Sequence, residues 1–254
     1  TSTIKSFEGV IETQVMRDEM MFCAFPPDGD EAQFDENGYA PMISFQLCNK
    51  VINDQLNDYN ENHPVMNLVL FKDAIEHVLR ISRGITAPHG HMLLVGLGGS
   101  GKQSLVRLAA DLVGFSVFQI TLANNYGMAE FNADLLKVFI QAGGKKIPTV
   151  FLLTDAQVTD EKFLIPISDF LSTGILPDLF APEDKEIIFG MVKGDMKVNG
   201  IQFTPDDAMK FFTERVRQNL RVIFCQSPSG DTFRIRARRF PALVNCMIID
   251  WFHA

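Results

Sequence analysis

No apolar run in the 254 residues approaches the length needed to cross a bilayer. The opening residues, TSTIKSFEGV, lack both the basic flank and the apolar core of a secretory signal. Cysteine is scarce and scattered: Cys23, Cys48, Cys225 and Cys246 form no C-x-x-C pair, a pattern that reads as reduced, intracellular and structural. Basic residues are outnumbered, 23 Lys and Arg against 31 Asp and Glu, for a net charge of −8. That deficit argues against nucleic acid or an anionic membrane as a partner. Internal repeats and low-complexity segments are also missing. What remains is a 46% hydrophobic, 21% charged mixture, ordinary for a globular chain and long enough for one large or two small domains. The last residues, IIDWFHA, stop on an apolar run, so both ends are expected to be cuts in a longer chain.

Residues 1–42 are acidic and irregular, and PPDGDEAQFDENGYAP is rich in turn formers. Phe45, Leu47, Val51, Ile52, Leu56 and Tyr59 then recur at helical spacing, up to the break at ENHP. A second helix is expected from about Leu68, capped by Asn67, with Gly84 past its end and Phe71, Ile75, Val78 and Leu79 on its inner face. From His91 the rhythm becomes strand and helix in alternation. HMLLV, SVFQI, TVFLLT, RVIFC and VNCMIID read as five strands. The stretches KQSLVRLAADLV, MAEFNADLLKVFIQAG, DEKFLIPISDFLSTG and TPDDAMKFFTERVRQNL read as helices, the last with Thr204 as cap and Pro205 in its first turn. Strands without polar alternation, separated by helices, predict a mostly parallel sheet covered on both faces. Residues 174–203, with two prolines and four glycines, interrupt the rhythm like an insertion.

The stretch GLGGSGKQ, residues 96–103, follows the first strand and opens a helix. It fits both a dinucleotide loop and a triphosphate loop. A dinucleotide site needs an acid at the end of the second strand to hold the ribose. No Asp or Glu occurs between Asp111 and Glu130. A triphosphate loop needs a lysine after the last glycine and a metal-binding acid at the end of a later apolar strand; Lys102 and Asp155 supply both. Gly96, Leu97, Gly98, Gly99, Ser100, Gly101, Lys102, Gln103 and Ser104 are therefore candidate phosphate-binding residues, through converging N–H groups, the helix N-terminus and the ammonium.

Two positions depart from a hydrolysing site. Gln103 stands where a Ser or Thr would ligate Mg²⁺, and Ser104 is rotated about 100° around the helix from it. Asp155 is followed by Ala156 and Gln157, not by the Glu that orients water. Losing a positioned base costs about 10²–10⁴ in rate. Glu161 is a remote substitute. Ser227, after RVIFC, is either a polar contact near the γ-phosphate or a cap before Pro228. RIRARR, residues 234–239, either offers an arginine to a neighbouring subunit or forms a solvated or ion-paired face. His89 and His91 read as turn and strand-start residues, and Met16, Met20 and Met21 as packing residues.

The ordered stretches LVLFKDAIEHVLRISR, HMLLVGLGGSGKQSLVRLAA, NNYGMAEFNADL, VFLLTDAQVTDEKFL and RRFPALVNCMIIDWF resemble a dynein heavy chain, most closely the fourth AAA+ module of the axonemal (ciliary) class. The departures at Gln103 and Ala156 are similar to those of the axonemal version. The resemblance implies a P-loop AAA+ large subdomain, an α/β fold with a five-stranded parallel sheet in the order 5-1-4-3-2 and dynein-type inserts. It implies one of six modules in a ring, this one regulatory, in a motor whose first module does the main ATP hydrolysis and whose stalk binds the microtubule. It makes Gly96 to Ser104 the Walker A loop, Asp155 the Walker B acid with Mg²⁺, Ser227 the first sensor, and Arg238, with Arg239 as rival, a finger toward the preceding module. Residues 1–66 would lead into the module, 67–254 would form the large subdomain with its insert at about 174–203, and the small helical subdomain and stalk would lie beyond.

The expectation is thus an ATP- or ADP-binding regulatory module with weak or no hydrolysis, Mg²⁺ being a possible companion. Its partners would be neighbouring modules and, through the stalk, the microtubule. Its place would be the cytoplasm and cytoskeleton, in the ciliary axoneme. The alternative is a structural ring segment with a vestigial pocket. A free-standing phosphotransferase is disfavoured, because no acceptor site is evident.

Overall fold

The computed structural model describes residues 21–26, 34–35, 38–41, 44–176 and 179–253. Most of the irregular segment expected over residues 1–42, with Met16 and Met20, lies outside them. Within it, β1 (Phe22–Cys23) pairs antiparallel with β2 (Ala40–Pro41).

Five further strands form one sheet: β3 (Met92–Val95), β4 (Ser116–Gln119), β5 (Thr149–Thr154), β6 (Leu220–Gln226) and β7 (Ile248–Trp251). All neighbours are parallel, in the order β4-β5-β6-β3-β7. Counted along the chain this is 5-1-4-3-2 read from the other edge. The central strands are apolar because both faces are covered. Leu93, Val95, Phe151, Leu153, Val222 and Phe224 face one core, and Met92, Leu94, Val150, Leu152, Ile223 and Cys225 face the other. Each fully buried Phe or Leu contributes about 1.5–3 kcal/mol.

On the second face pack α1 (Phe45–Asn62), α2 (Lys72–Thr86) and α3 (Lys102–Leu112). Ser44 caps α1 by accepting from Leu47 N at 3.2 Å, and Gln55 of α1 donates to Asp111 of α3 at 2.7 Å. The first face carries α4 (Met128–Phe139), α5 (Leu164–Thr173), α6 (Pro182–Val198), α7 (Pro205–Asn219) and the short α9 (Ala242–Asn245). Between β6 and α9 runs α8 (Thr232–Arg239). Thr204 caps α7 by accepting from Asp207 N at 3.1 Å. The stretch at 174–203 is largely α6, whose Ile188, Val192 and Met196 are buried in the first core.

The second helix differs from the sequence expectation. It starts at Lys72, not near Leu68, and Asn67 does not cap it. Residues 65–71 run without helix, with Met66, Leu68 and Leu70 packed on the core and Val65, Val69 and Phe71 exposed. That alternation has period two, so Phe71 points out. Gly84 does not end the helix but lies inside it, where a Cβ would come within 2.3 Å of Met92 Sδ. The Met92 side chain of β3 packs against that glycine, and no change of backbone hand is involved. VNCMIID also splits: residues up to Asn245 belong to α9 and the strand begins at Ile248.

Candidate nucleotide site at the end of β3

The ladder of β3 continues one step past Val95, where Gly96 N donates to Gln226 O at 3.0 Å. Phe252 sits so close that a Cβ on Gly96 would lie 2.6 Å from its Cβ. The loop then turns through Gly99 at φ 81° and Gly101 at φ 76°, conformations that L side chains rarely adopt. No side chain caps α3, and its first intrahelical bond comes from Leu105 N to Gly101 O. The N–H groups of Lys102, Gln103 and Ser104 therefore have no intrahelical acceptor. They are free to donate to an anion, with the positive end of the helix behind them.

This site is a cleft of about 350 Å³ lined by Gly98 to Ser104, Thr154, Asp155, Cys225 and Ser227. The parallel register puts the ends of β5 and β6 beside the loop, so residues far apart in sequence meet there. Lys102 Nζ donates to Gly96 O at 2.6 Å, Leu97 O at 2.7 Å and Ser100 Oγ at 3.0 Å. Burial lowers its pKa, against the opposing influence of Cys225 and Asp155. Asp155 Oδ2 accepts from Ser227 N at 3.0 Å and Oδ1 from Ala156 N at 2.9 Å. Ser227 Oγ accepts from Ser229 N at 3.3 Å, so that hydroxyl both caps a turn and lines the cleft. Burial pushes the Cys225 thiol up to about 12, which keeps it un-ionised.

Of the remaining sequence candidates, Glu161 is committed elsewhere. It accepts from Arg236 Nε and Nη2, both at 2.8 Å, and the Arg236 side chain is 5% exposed. Arg236, inside RIRARR, is thus a structural brace. Arg238 and Arg239 are exposed on α8 and do not line the cleft. His91 is buried at the start of β3, where its Nδ1 accepts from Val222 N at 3.0 Å. Its pKa falls to about 4, mainly through burial, with Arg221 and His89 adding repulsion. His89 occupies a turn with φ 52°.

Two features escaped the sequence. The first is a cleft of about 540 Å³ on the other side of the loop, sharing Gly99, Ser100 and Gly101 with the cleft lined by Lys102 and Asp155. Leu68, Val69, Phe71, Leu105, Trp251 and Phe252 give it apolar walls. His77 lines it too; that ring stacks on Phe252, with centroids 3.7 Å apart, and its Nδ1 lies 2.7 Å from Asp250 Oδ2. The unbroken apolar run of residues 68–71, wider than one face of a helix, is the signal that could have found it. The second is a chain of amides. Gln119 Nε2 donates to Gln103 Oε1 at 3.0 Å and Gln157 Oε1 at 3.2 Å.

The donor set fits a phosphate: helix-start amides, a lysine and positive-φ glycines. It fits a divalent cation less well, because the Gln103 oxygen is turned to Gln119 and each Asp155 oxygen has one lone pair on a backbone N–H, so a cation would have to share oxygens that already hold hydrogen bonds.

The family described as "P-loop containing dynein motor region D4" matches residues 66–254. The ciliary dynein beta chain of Heliocidaris crassispina is 47% identical over 98% of this chain, and dynein axonemal heavy chain 17 of Homo sapiens is 44% identical over 99%. The flagellar outer-arm dynein beta chain of Chlamydomonas reinhardtii is 48% identical over 85%. This chain spans only 6%, 6% and 5% of those three proteins, respectively. A parallel five-stranded sheet with a glycine-rich loop at the end of β3, matched over most of its length by that model and those relatives, places the chain in the D4 motor-region family of dynein heavy chains, as an AAA+ module of the axonemal, ciliary type.

Proposed function

We propose that this module binds one adenine nucleotide across the glycine loop and hydrolyses it slowly or not at all. The observation that carries the reading is the pair of clefts meeting at Gly99, Ser100 and Gly101. The polar one offers the N–H groups of Lys102, Gln103 and Ser104 and the Lys102 ammonium to phosphates. The apolar one has room for the base against Val69, Leu105 and Phe252. Asp155 and Ser227 close the far wall, where the end of the phosphate chain would lie.

Slow turnover follows from what stands beside Asp155. Ala156 carries no carboxylate, and Gln157 is held by Thr154 N and Ile120 O. Glu161 is bound to Arg236. Its Oε2 has no hydrogen-bond partner among the described residues, but Glu161 does not line the cleft, so none of these residues stands as a base beside the phosphate end, a loss of about 10²–10⁴ in rate. Such a module holds nucleotide for shape or regulation, in a dynein heavy chain of the ciliary axoneme and its cytoskeleton. Its partners are the neighbouring modules, which Arg238 or Arg239 could reach with a finger, and the microtubule through parts of the motor outside this chain.

Calorimetric titration with ADP and ATP, together with single-turnover hydrolysis, tests this reading. Saturable binding with turnover far below that of a hydrolysing AAA+ module is expected; turnover comparable to such a module would overturn it. A second reading, a ring segment with an empty pocket, draws on the contacts of Lys102, whose three donors are satisfied by the loop itself. It predicts no binding at all.

A further inference from the structure

Three glutamines from three separate elements meet at the base of the loop. Their amide orientations are fixed by partners that can act in only one sense. Arg107, which can only donate, contacts Gln119 Oε1, so the Gln119 Nε2 faces the other way. At the other end Gln157 Nε2 donates to Ile120 O at 2.6 Å, and Gln157 Oε1 accepts from Thr154 N at 3.0 Å. Gln157 therefore presents oxygen to Gln119. Both hydrogens on Gln119 Nε2 are then used, one on Gln157 Oε1 at 3.2 Å and one on Gln103 Oε1 at 3.0 Å. Facing a donor that has no lone pair to offer, Gln103 must present its oxygen to Gln119. Gln103 Oε1, the one side-chain atom able to ligate a metal, is thereby aimed at Gln119, with one of its two lone pairs engaged. Its Nε2 has no hydrogen-bond partner among the described residues, and the residue lines the phosphate cleft.

We propose that this relay converts the metal-ligand position into a phosphate donor, so that the site takes its nucleotide without a protein-held divalent cation. The inference rests on the nucleotide reading above and deepens it. A Ser or Thr at position 103 would give a lone pair to Mg²⁺. Gln103, polarised by Gln119, gives an N–H to a phosphate oxygen instead. That donor adds to the three helix-start amides and Lys102, and together they compensate phosphate charge that the cation would otherwise offset. Asp155 fits the same account. Its two oxygens brace Ala156 N and Ser227 N, a structural use that needs no ion. Gln119 is a positioning residue here, acting on the ligand only through Gln103.

The test is ADP binding to the 254-residue chain by calorimetry, once with Mg²⁺ and once with EDTA. Wild type, Gln103→Thr and Gln119→Met are compared, with thermal unfolding as a control for folding. In wild type the two affinities should agree within about threefold. Gln103→Thr should bind at least about tenfold more tightly with Mg²⁺ than with EDTA, the scale on which a metal site gains or loses a supporting group. Gln119→Met frees the Gln103 amide to turn, so it should weaken metal-free binding and create a Mg²⁺ response. A merely structural Gln119 would lower the melting temperature and leave the ratio of the two affinities unchanged, which would overturn the proposal. Tenfold tighter wild-type binding with Mg²⁺ would overturn it too, while leaving the nucleotide reading intact. Absence of ADP binding to wild type under both conditions would remove both.

Discussion

Lys102→Met separates the loop contacts that the lysine makes from the phosphate contact proposed for it. Without ligand, its ammonium holds the loop by donating to Gly96 O, Leu97 O and Ser100 Oγ. Methionine keeps the length and loses all three donors. Because the lysine is only partly buried, the freed acceptors regain water, and the cost should be about 1–2 kcal/mol, not three charged hydrogen bonds added together. For a domain of this size that lowers the melting temperature by roughly 2–8 °C. The ligand effect is separate. A nucleotide at a hundred times its Kd stabilises the native state by about 2.7 kcal/mol, or roughly 5–10 °C. Thermal unfolding of both proteins, with and without ADP, therefore yields two readings. The variant should start lower, and its shift on adding ADP should vanish. A variant that starts lower but shifts as far as wild type would refute the phosphate-binding role of Lys102 and leave it a loop strut. A variant with an unchanged starting point would refute the strut.

Two further outcomes follow from the packing around the site. His91 has a folded pKa of about 4 against 6.5 for the free group, so the unfolded chain takes up this proton first. Its contribution is fully present above pH 6.5 and is lost as the pH falls toward 4, about 2 kcal/mol by pH 5. Urea unfolding at pH 7 and pH 5 should show that loss in wild type and not in His91→Asn; parallel losses in the two proteins would disprove it. Gly96→Ala sets a Cβ 2.6 Å from the Phe252 Cβ, an atom too near the backbone to swing aside. It should cost about 1–3 kcal/mol, and an unchanged urea midpoint would show that the close approach is not tight.

The parts of the site that a single sequence displayed are those built from contiguous residues. The glycine loop, the lysine and the acid after an apolar strand each announce themselves locally, because φ above zero selects glycine and burial on both faces selects unbroken apolar runs. The amide relay is invisible by comparison. Gln103, Gln119 and Gln157 belong to α3, β4 and the turn after β5, and only the pairing of β4 with β5 beside the loop makes them neighbours. The apolar cleft beside the loop was missed for a different reason. LVLF is an unbroken apolar run, which does not separate extended chain from helix, and the 3.6 period that follows absorbed these residues before Lys72. Gly84 shows the same ambiguity in one residue: past a helix it signals a cap, inside one it signals a neighbour that comes too close for a side chain.

The acids that follow β5 bear on how the proposed site would keep its shape without a group that orients water. In a hydrolysing module one of these positions must stay free to hold water. Here Asp155 and Glu161 both contact the segment that leaves β6. Asp155 accepts from Ser227 N directly after that strand. Glu161 accepts twice from Arg236, which lies further along the same segment in α8. The two contacts tie the β5 exit to the β6 exit and to the helix that carries Arg238 and Arg239. Relaxing the demand for a base lets a carboxylate serve as a brace, and a braced wall is what a nucleotide held for its shape requires. A side chain free to activate water must keep lone pairs unpaired, whereas one that fixes the wall must pair them. Glu161 is divided between the two: its Oε1 is joined to two nitrogens of a buried guanidinium, while its Oε2 is buried with no hydrogen-bond partner among the described residues.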